Sequence, residues 1–180
     1  MALETEIKVR VSPEDLESIR SRLTDLGADQ ISPRQQESNL LFDFPDGKLR
    51  GSDCALRLRT YGEQVTLTFK AKTQSDPLFK RREELESLVG DAQQIQKILQ
   101  GLGLDVCLEY SKFREIYRCP VDGKRVDVCL DETPVGTFVE LEGSSEDIRK
   151  LADRLGWTPD QFIQETYVAL LADSSRQEQP

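Results

Sequence analysis

The 180-residue sequence contains no histidine, one tryptophan and one methionine, and its four cysteines (Cys54, Cys107, Cys119, Cys129) form no Cys-x-x-Cys pair. Each shortage removes a class of chemistry. Without imidazole and paired thiols, a zinc site of the usual kind and any catalysis through histidine are excluded. The isolated cysteines read as reduced and mostly buried. No apolar run approaches the ~18 residues that cross a bilayer as a helix, and the start Met1-Ala2-Leu3-Glu4 lacks the pattern of a secretory leader, so no membrane partner and a cytoplasmic location are expected. A basic excess is missing too. With 24 Lys and Arg against 33 Asp and Glu, the net charge of −9 argues against nucleic acid as a partner. An anion would need a local cationic site.

What is present is alternation. Leu3, Thr5, Ile7 and Val9 alternate with Glu4, Glu6, Lys8 and Arg10, which predicts a strand with one apolar and one charged face. Further strands are expected over 30–43, 54–61, 64–72, 79–88, 107–119, 124–131 and 136–142. Turn-forming stretches lie between several of them: Pro45-Asp46-Gly47, Gly62-Glu63, Gln74 to Pro77, and Pro120 to Gly123. Helices are expected after Ser12-Pro13 up to Gly27, near 91–101 behind the cap Asp91, over 144–155, and over 159–171 behind Thr158 with Gln161 three residues on. One domain over 1–172 and a frayed tail over 173–180 complete the outline. The class is α+β, rich in antiparallel strands.

The charges on these strands are sorted. Arg57 and Arg59 share one strand face; Thr66, Thr68, Lys70 and Lys72 share the next; Lys112 and Arg114 flank Phe113. Acids pair elsewhere, at Glu4 with Glu6 and at Glu140 with Glu142, while Arg82, Glu84 and Glu86 oppose Leu85 and Asp127, Cys129 and Asp131 oppose Val128 and Leu130. A solvated sheet face is polar but normally mixes the two signs. Same-face neighbours lie roughly 6.5–7 Å apart along a strand, so two paired-acid strands side by side would gather four carboxylates. Such a group needs a cation, and an all-oxygen donor set suits Mg²⁺ or Mn²⁺. The sorted guanidinium and ammonium groups match phosphate. If the sheet closes, its charged face becomes a polar lumen.

Glu4-Thr5-Glu6-Ile7-Lys8 resembles the Glu-x-Glu-x-Lys signature of the CYTH superfamily, the triphosphate tunnel metalloenzymes. The likeness continues in order through Phe42-Asp43-Phe44, Ala55 to Arg59, Leu67 to Lys70, Arg82 to Glu86, Lys112-Phe113-Arg114, Leu130-Asp131-Glu132 and Gly136 to Glu142, and so spans about residues 3–171. The resemblance implies a closed eight-stranded antiparallel β-barrel with helices outside, which binds a triphosphate with Mg²⁺ or Mn²⁺ in its tunnel. On this chain Glu4, Glu6, Glu140, Glu142 and Asp131 would ligate metal, with Glu84 a further candidate. Lys8, Arg57, Arg59, Lys70, Lys112 and Arg114 would hold phosphates, and Lys8 and Glu84 would serve catalysis. Arg10, Lys72 and Arg82 stand evenly between the lumen and its rim.

Relatives of this kind hydrolyse tripolyphosphate, thiamine triphosphate or nucleoside triphosphates, or cyclise ATP to cyclic AMP and pyrophosphate. Cyclase-active members resemble one another in a His-Phe pair before the signature, and here only Met1-Ala2-Leu3 precedes it. Cys129 stands where some members carry another acid. The lysine or lysine–tyrosine dyad associated with thiamine triphosphate hydrolysis is not evident around Glu165-Thr166-Tyr167. Hydrolysis of tripolyphosphate or a nucleoside triphosphate is the leading expectation, adenylyl cyclase the alternative, and a non-catalytic polyphosphate- or nucleotide-binding module the third. Surface helices and a sheet edge would allow a homodimer.

Overall fold

A computed structural model describes residues 2–177. Eight long strands follow the sequence alternation: β1 (Ala2–Val11), β2 (Asp29–Asp43), β3 (Ala55–Tyr61), β4 (Gln64–Lys70), β5 (Lys80–Val89), β6 (Asp105–Val121), β7 (Lys124–Thr133) and β8 (Gly136–Glu142). A two-residue strand, β9 (Phe162–Ile163), is the ninth. The sheet order is β5-β4-β3-β2-β6-β7-β8-β1-β9, and β5 also pairs with β1. That extra pairing closes the eight long strands into an antiparallel barrel, and β9 lies on the edge of β1 opposite Lys8 and Val9. Closure removes the sheet edges that an open sheet would leave unpaired. The β6–β7 hairpin turns at Asp122 (φ 47°) and Gly123 (φ 81°), the paired positive values of a type I′ turn.

Two compact units emerge among the described residues, each discontinuous in sequence: residues 2–4, 35–75 and 81–111 form one, and 5–34, 76–80 and 112–177 the other. Strands β1, β2, β5 and β6 contribute residues to both. In the second unit, the apolar faces of β1, β7 and β8 (Ile7, Val9, Val128, Leu130, Val139, Leu141) pack with two amphipathic helices. These are α1 (Leu16–Asp25), through Leu16, Ile19 and Leu23, and α4 (Ser145–Arg154), through Ile148, Leu151 and Ala152. Helix α4 starts where expected because the Ser144 hydroxyl accepts from the Asp147 amide at 3.2 Å. In the first unit, Phe42 and Leu58 pack with Leu99 of α3 (Ala92–Gly101), whose N-terminal amides at Gln93 and Gln94 donate to the Asp91 carboxylate at 2.8 and 3.0 Å.

One expected helix is corrected. The run 159–171 starts as a single 3₁₀ turn (Pro159–Gln161), and the amide of Thr158 donates to Gln161 Oε1 as the cap predicts. The chain then extends as β9, because Phe162 and Ile163 find backbone partners on β1 and Phe162 packs against the core. Only from Tyr167 does helix α5 (Tyr167–Gln177) form. The tail expected to fray, 173–180, is helical backbone to Gln177, and its last three residues lie outside the described residues.

A short helix, α2 (Lys48–Gly51), is new relative to the sequence reading. Asp43, 5% exposed, makes it: its carboxylate accepts from the amides of Phe44 (2.8 Å), Leu49 (2.8 Å) and Arg50 (3.0 Å). Burial pushes the Asp43 carboxyl up, but those three amides and Arg50 pull it below the ordinary aspartate value. A depressed folded-state pKa stabilises above the unfolded value and loses its effect as the pH falls. Asp43→Ala should therefore cost about 1–3 kcal/mol at pH 7 by urea denaturation, with the difference from wild type shrinking below about pH 4. An equal loss at pH 7 and pH 3 would contradict this account.

Candidate active site

The polar sides of the strands are not a wetted face. In the second unit Glu6, Lys8, Lys112, Arg114, Asp131 and Glu140 are all buried, with Asp131 fully so. Strand pairing explains the grouping: Lys8 lies opposite Glu140 across β1–β8, and Arg114 opposite Asp131 across β6–β7. Directly opposed residues of antiparallel strands share a face.

Buried charge survives only with partners, and here each has at least one. Arg114 donates to both Asp131 and Glu140, with Nε 2.6 Å from Asp131 Oδ1. Lys112 Nζ donates to Asp131 Oδ2 at 2.9 Å, Lys8 Nζ stands 3.1 Å from Glu140 Oε1, and Lys80 pairs with Glu6. Burial pushes the Glu140 carboxyl up, yet the charges of Lys8, Arg114, Lys112 and Lys80 hold it well below the usual glutamate value. The group is anionic at any ordinary pH.

Tyr167 completes this network from the C-terminal segment. Its hydroxyl donates to Asp131 Oδ2 at 2.8 Å, and its ring centroid lies 4.2 Å from Lys8 Nζ and 4.6 Å from Lys112 Nζ. Both are within cation–π range. Phe138 meets the same ring edge-on at 5.4 Å, and Lys8 also donates to the carbonyl of Glu165 at 3.0 Å. Burial, with Glu140 and Asp131 alongside, raises the phenol well above its ordinary value, so Tyr167 stays a hydrogen-bond donor.

The first unit carries its own set. Lys70 Nζ stands 3.2 Å from Glu4 Oε2 and pairs with Glu84, which faces it in the β4–β5 register. Burial raises the Glu84 carboxyl to about 7, helped by a hydrogen bond with Glu4 and opposed by Lys70. Arg57 and Arg59 lie opposite Thr68 and Thr66. The Thr68 hydroxyl donates to Glu86 Oε2 at 3.0 Å, and Arg59 reaches that same oxygen at 3.5 Å.

Three carboxylates come together along β1 and β8. Glu4 and Glu6 are successive charged positions of β1, Glu142 faces Glu6 across the strand pair, and one oxygen from each lies within 4.8 Å of the others. Three oxygen donors with no nitrogen or sulfur suit a hard divalent cation such as Mg²⁺ or Mn²⁺. The other two expected metal ligands stand elsewhere: Asp131 and Glu140 are engaged by lysine and arginine and are not members of this trio. Cys129, opposite Glu140, is buried, and burial drives its thiol well up, so it offers no thiolate.

A family model of the CYTH domain matches residues 2–155. The chain belongs to the CYTH family. Members of this family, the triphosphate tunnel metalloenzymes, are cyclases or triphosphatases that bind triphosphates and generally depend on divalent metal. This CYTH protein is 28% identical over 179 residues to a Methanocaldococcus jannaschii protein named as a candidate adenylate cyclase, covering 93% of this chain and 98% of that one. Among solved structures, a candidate adenylate cyclase from Vibrio parahaemolyticus matches with a TM-score of 0.78 at 18% identity, over 94% of this chain and 98% of the other. HpAC1 from Hippeastrum, described as a candidate adenylyl cyclase with a dominant triphosphatase activity, matches with a TM-score of 0.74 at 19% identity, over 95% and 96%. Likeness at that identity concerns the fold.

Of the residues left between lumen and rim, Arg82 is buried but bonds Ala71 O and Asp53, whereas Arg10 and Lys72 are exposed. Sequence reasoning on this CYTH chain passed over Lys80 and Tyr167. Lys80 was findable, since it continues the alternation of Arg82, Glu84 and Glu86 on β5. Tyr167 was not, because its place depends on β9 interrupting a helical pattern.

A carboxyl raised on folding withdraws stability as the pH climbs from its unfolded value toward its folded one. Metal-free wild type should thus lose stability between about pH 4.5 and 7 through Glu84, and Glu84→Gln should be spared that loss. After discounting for solvent screening, the variant's advantage at pH 8 should be about 1–2 kcal/mol and should vanish near pH 4. Thermal melts across that range would show it; a pH-independent difference would contradict the shared proton.

Proposed function

We propose that this CYTH protein is a divalent-metal-dependent hydrolase of inorganic tripolyphosphate or nucleoside triphosphates. One observation carries the reading: β1 presents Glu4, Glu6 and Lys8 at successive charged positions, which sets the carboxylate trio beside the buried cations Lys8, Lys112 and Arg114. Metal and phosphate are then handled by one strand. The trio Glu4, Glu6 and Glu142 would hold Mg²⁺ or Mn²⁺, which supplies charge neutralisation at phosphate oxygens.

The remaining roles belong to the chain. Lys8, Lys112 and Arg114 bind phosphate oxygens, and Asp131, Glu140 and the Tyr167 ring hold those cations in place beforehand, so little reorganisation accompanies binding. On the first unit, Arg57, Arg59 and Lys70 form a cationic set of their own that suits phosphate. Glu84, with a carboxyl near neutrality, is suited to take a proton from an attacking water and to return it to the departing phosphate. Likeness to HpAC1, a protein with dominant triphosphatase activity, agrees with hydrolysis. The M. jannaschii relative favours a second reading, cyclisation of ATP to cyclic AMP with release of pyrophosphate.

Both reactions can be followed on one preparation with tripolyphosphate or ATP and with Mg²⁺ or Mn²⁺. Orthophosphate release that EDTA abolishes is expected, with kcat/KM reduced about 10²-fold or more in Glu6→Gln. Cyclic AMP and pyrophosphate as the sole products from ATP would replace hydrolysis with the cyclase reading. Tight binding without turnover under either metal would leave a binding module.

A further inference from the structure

Two polar residues on the first unit's charged face take no part in the site so far. Leu40 and Phe42 of β2 belong to the apolar cluster that packs with α3. Alternation therefore puts Glu37, Asn39 and Leu41 on the opposite face. The β2–β3 register agrees, with Glu37 opposite Tyr61, Asn39 opposite Arg59 and Leu41 opposite Arg57. Glu37 and Asn39 are fully buried.

Asn39 Nδ2 donates to Glu37 Oε1 at 3.0 Å. A carboxylate can only accept, so this bond fixes which way round the amide lies. Among the described residues it leaves Asn39 Oδ1 as a buried acceptor with no hydrogen-bond partner, beside the phosphate candidate Arg59. An unmet buried acceptor is costly and is rarely kept without use.

The surrounding chemistry selects what would meet it. Arg57, Arg59, Lys70, Thr66 and Thr68 are the groups that suit phosphate, whose ionised oxygens are acceptors. Asn39 Oδ1 offers nothing to such a group, and the neighbouring Glu37 carboxylate disfavours it. Tripolyphosphate is made only of phosphate. A nucleoside triphosphate adds donors, namely the ribose hydroxyls and the exocyclic amine of its base.

We infer that Asn39 is a specificity-determining residue of this face, its Oδ1 accepting a hydrogen bond from the nucleoside part of a nucleoside triphosphate, with Glu37 as the positioning residue that orients the amide. The inference rests on the triphosphate reading above and narrows it to nucleoside triphosphates.

The test compares ATP and tripolyphosphate, each with Mg²⁺, by calorimetric Kd and by kcat/KM. Asn39→Ala should weaken ATP roughly three- to tenfold, the range of one neutral hydrogen bond, and change tripolyphosphate less than twofold. Glu37→Gln should lower the same ATP-to-tripolyphosphate ratio, which a loss of general stability would not move. A third arm needs no variant: wild type is given 2′-deoxy-ATP, 3′-deoxy-ATP and inosine triphosphate. One of the three should lose three- to tenfold against ATP and should lose nothing further in Asn39→Ala, which identifies the donor as a sugar hydroxyl or the base amine. Equal losses for ATP and tripolyphosphate in Asn39→Ala, or three analogues that all match ATP, would overturn the inference. Wild type that favours tripolyphosphate over ATP would also overturn it while leaving the hydrolase reading standing. Failure to bind any triphosphate would remove both.

Discussion

Arg114 donating at once to Asp131 and Glu140 is the contact on which the second unit's charged face depends. A guanidinium cannot shed its proton, so burying it obliges the chain to bury carboxylates beside it. Those carboxylates then draw in Lys112, Lys8 and the Tyr167 hydroxyl. The result is a charged interior that is paired throughout. Charges so placed are expensive to desolvate and add little net stability against apolar residues of the same volume. In the proposed function their use lies in being already dry and oriented when an anion arrives.

The stability of the fold comes from elsewhere. Ile7, Val9, Val139 and Leu141 turn the other sides of β1 and β8 toward α1 and α4, while Phe42 and Leu58 meet α3. Each strand therefore serves two solvents, an apolar one outside and a polar one inside. Period 2 makes that division strict: a slip of one residue would send Glu4, Glu6 and Lys8 into the apolar core. Register is consequently among the most strongly determined features of the molecule, and the carboxylate trio inherits its geometry from it.

Alternation is a local property, and what depends on it was legible. All eight long strands, the cap at Asp91, the helix that begins at Ser144, and the faces carrying Arg57, Lys70, Lys112, Arg114, Glu140 and Glu142 could be read directly from the chain. What failed were places where a distant partner overrode a local signal. Thr158, Pro159 and Gln161 announce a helix, and one turn of it forms, but Phe162 and Ile163 then pair with Val9 and Lys8 of β1. Asp43 ends β2 as its strand motif indicates, but it also gathers three amides to build α2, which the motif does not announce.

Residue types and their spacing by themselves determined that imidazole chemistry was excluded, that charge was sorted by strand, and that Glu4, Glu6 and Lys8 shared one face. Which carboxylates meet was decided only in three dimensions. Glu142 joins Glu4 and Glu6, while Glu140, two residues away on the same strand, turns to Lys8 and Arg114. Tyr167 reaches Asp131, and Asn39 Oδ1 has no hydrogen-bond partner among the described residues. The reason is physical: spacing along a strand fixes the face of a residue, whereas its partners depend on the register of the neighbouring strands and on segments that arrive from far along the chain.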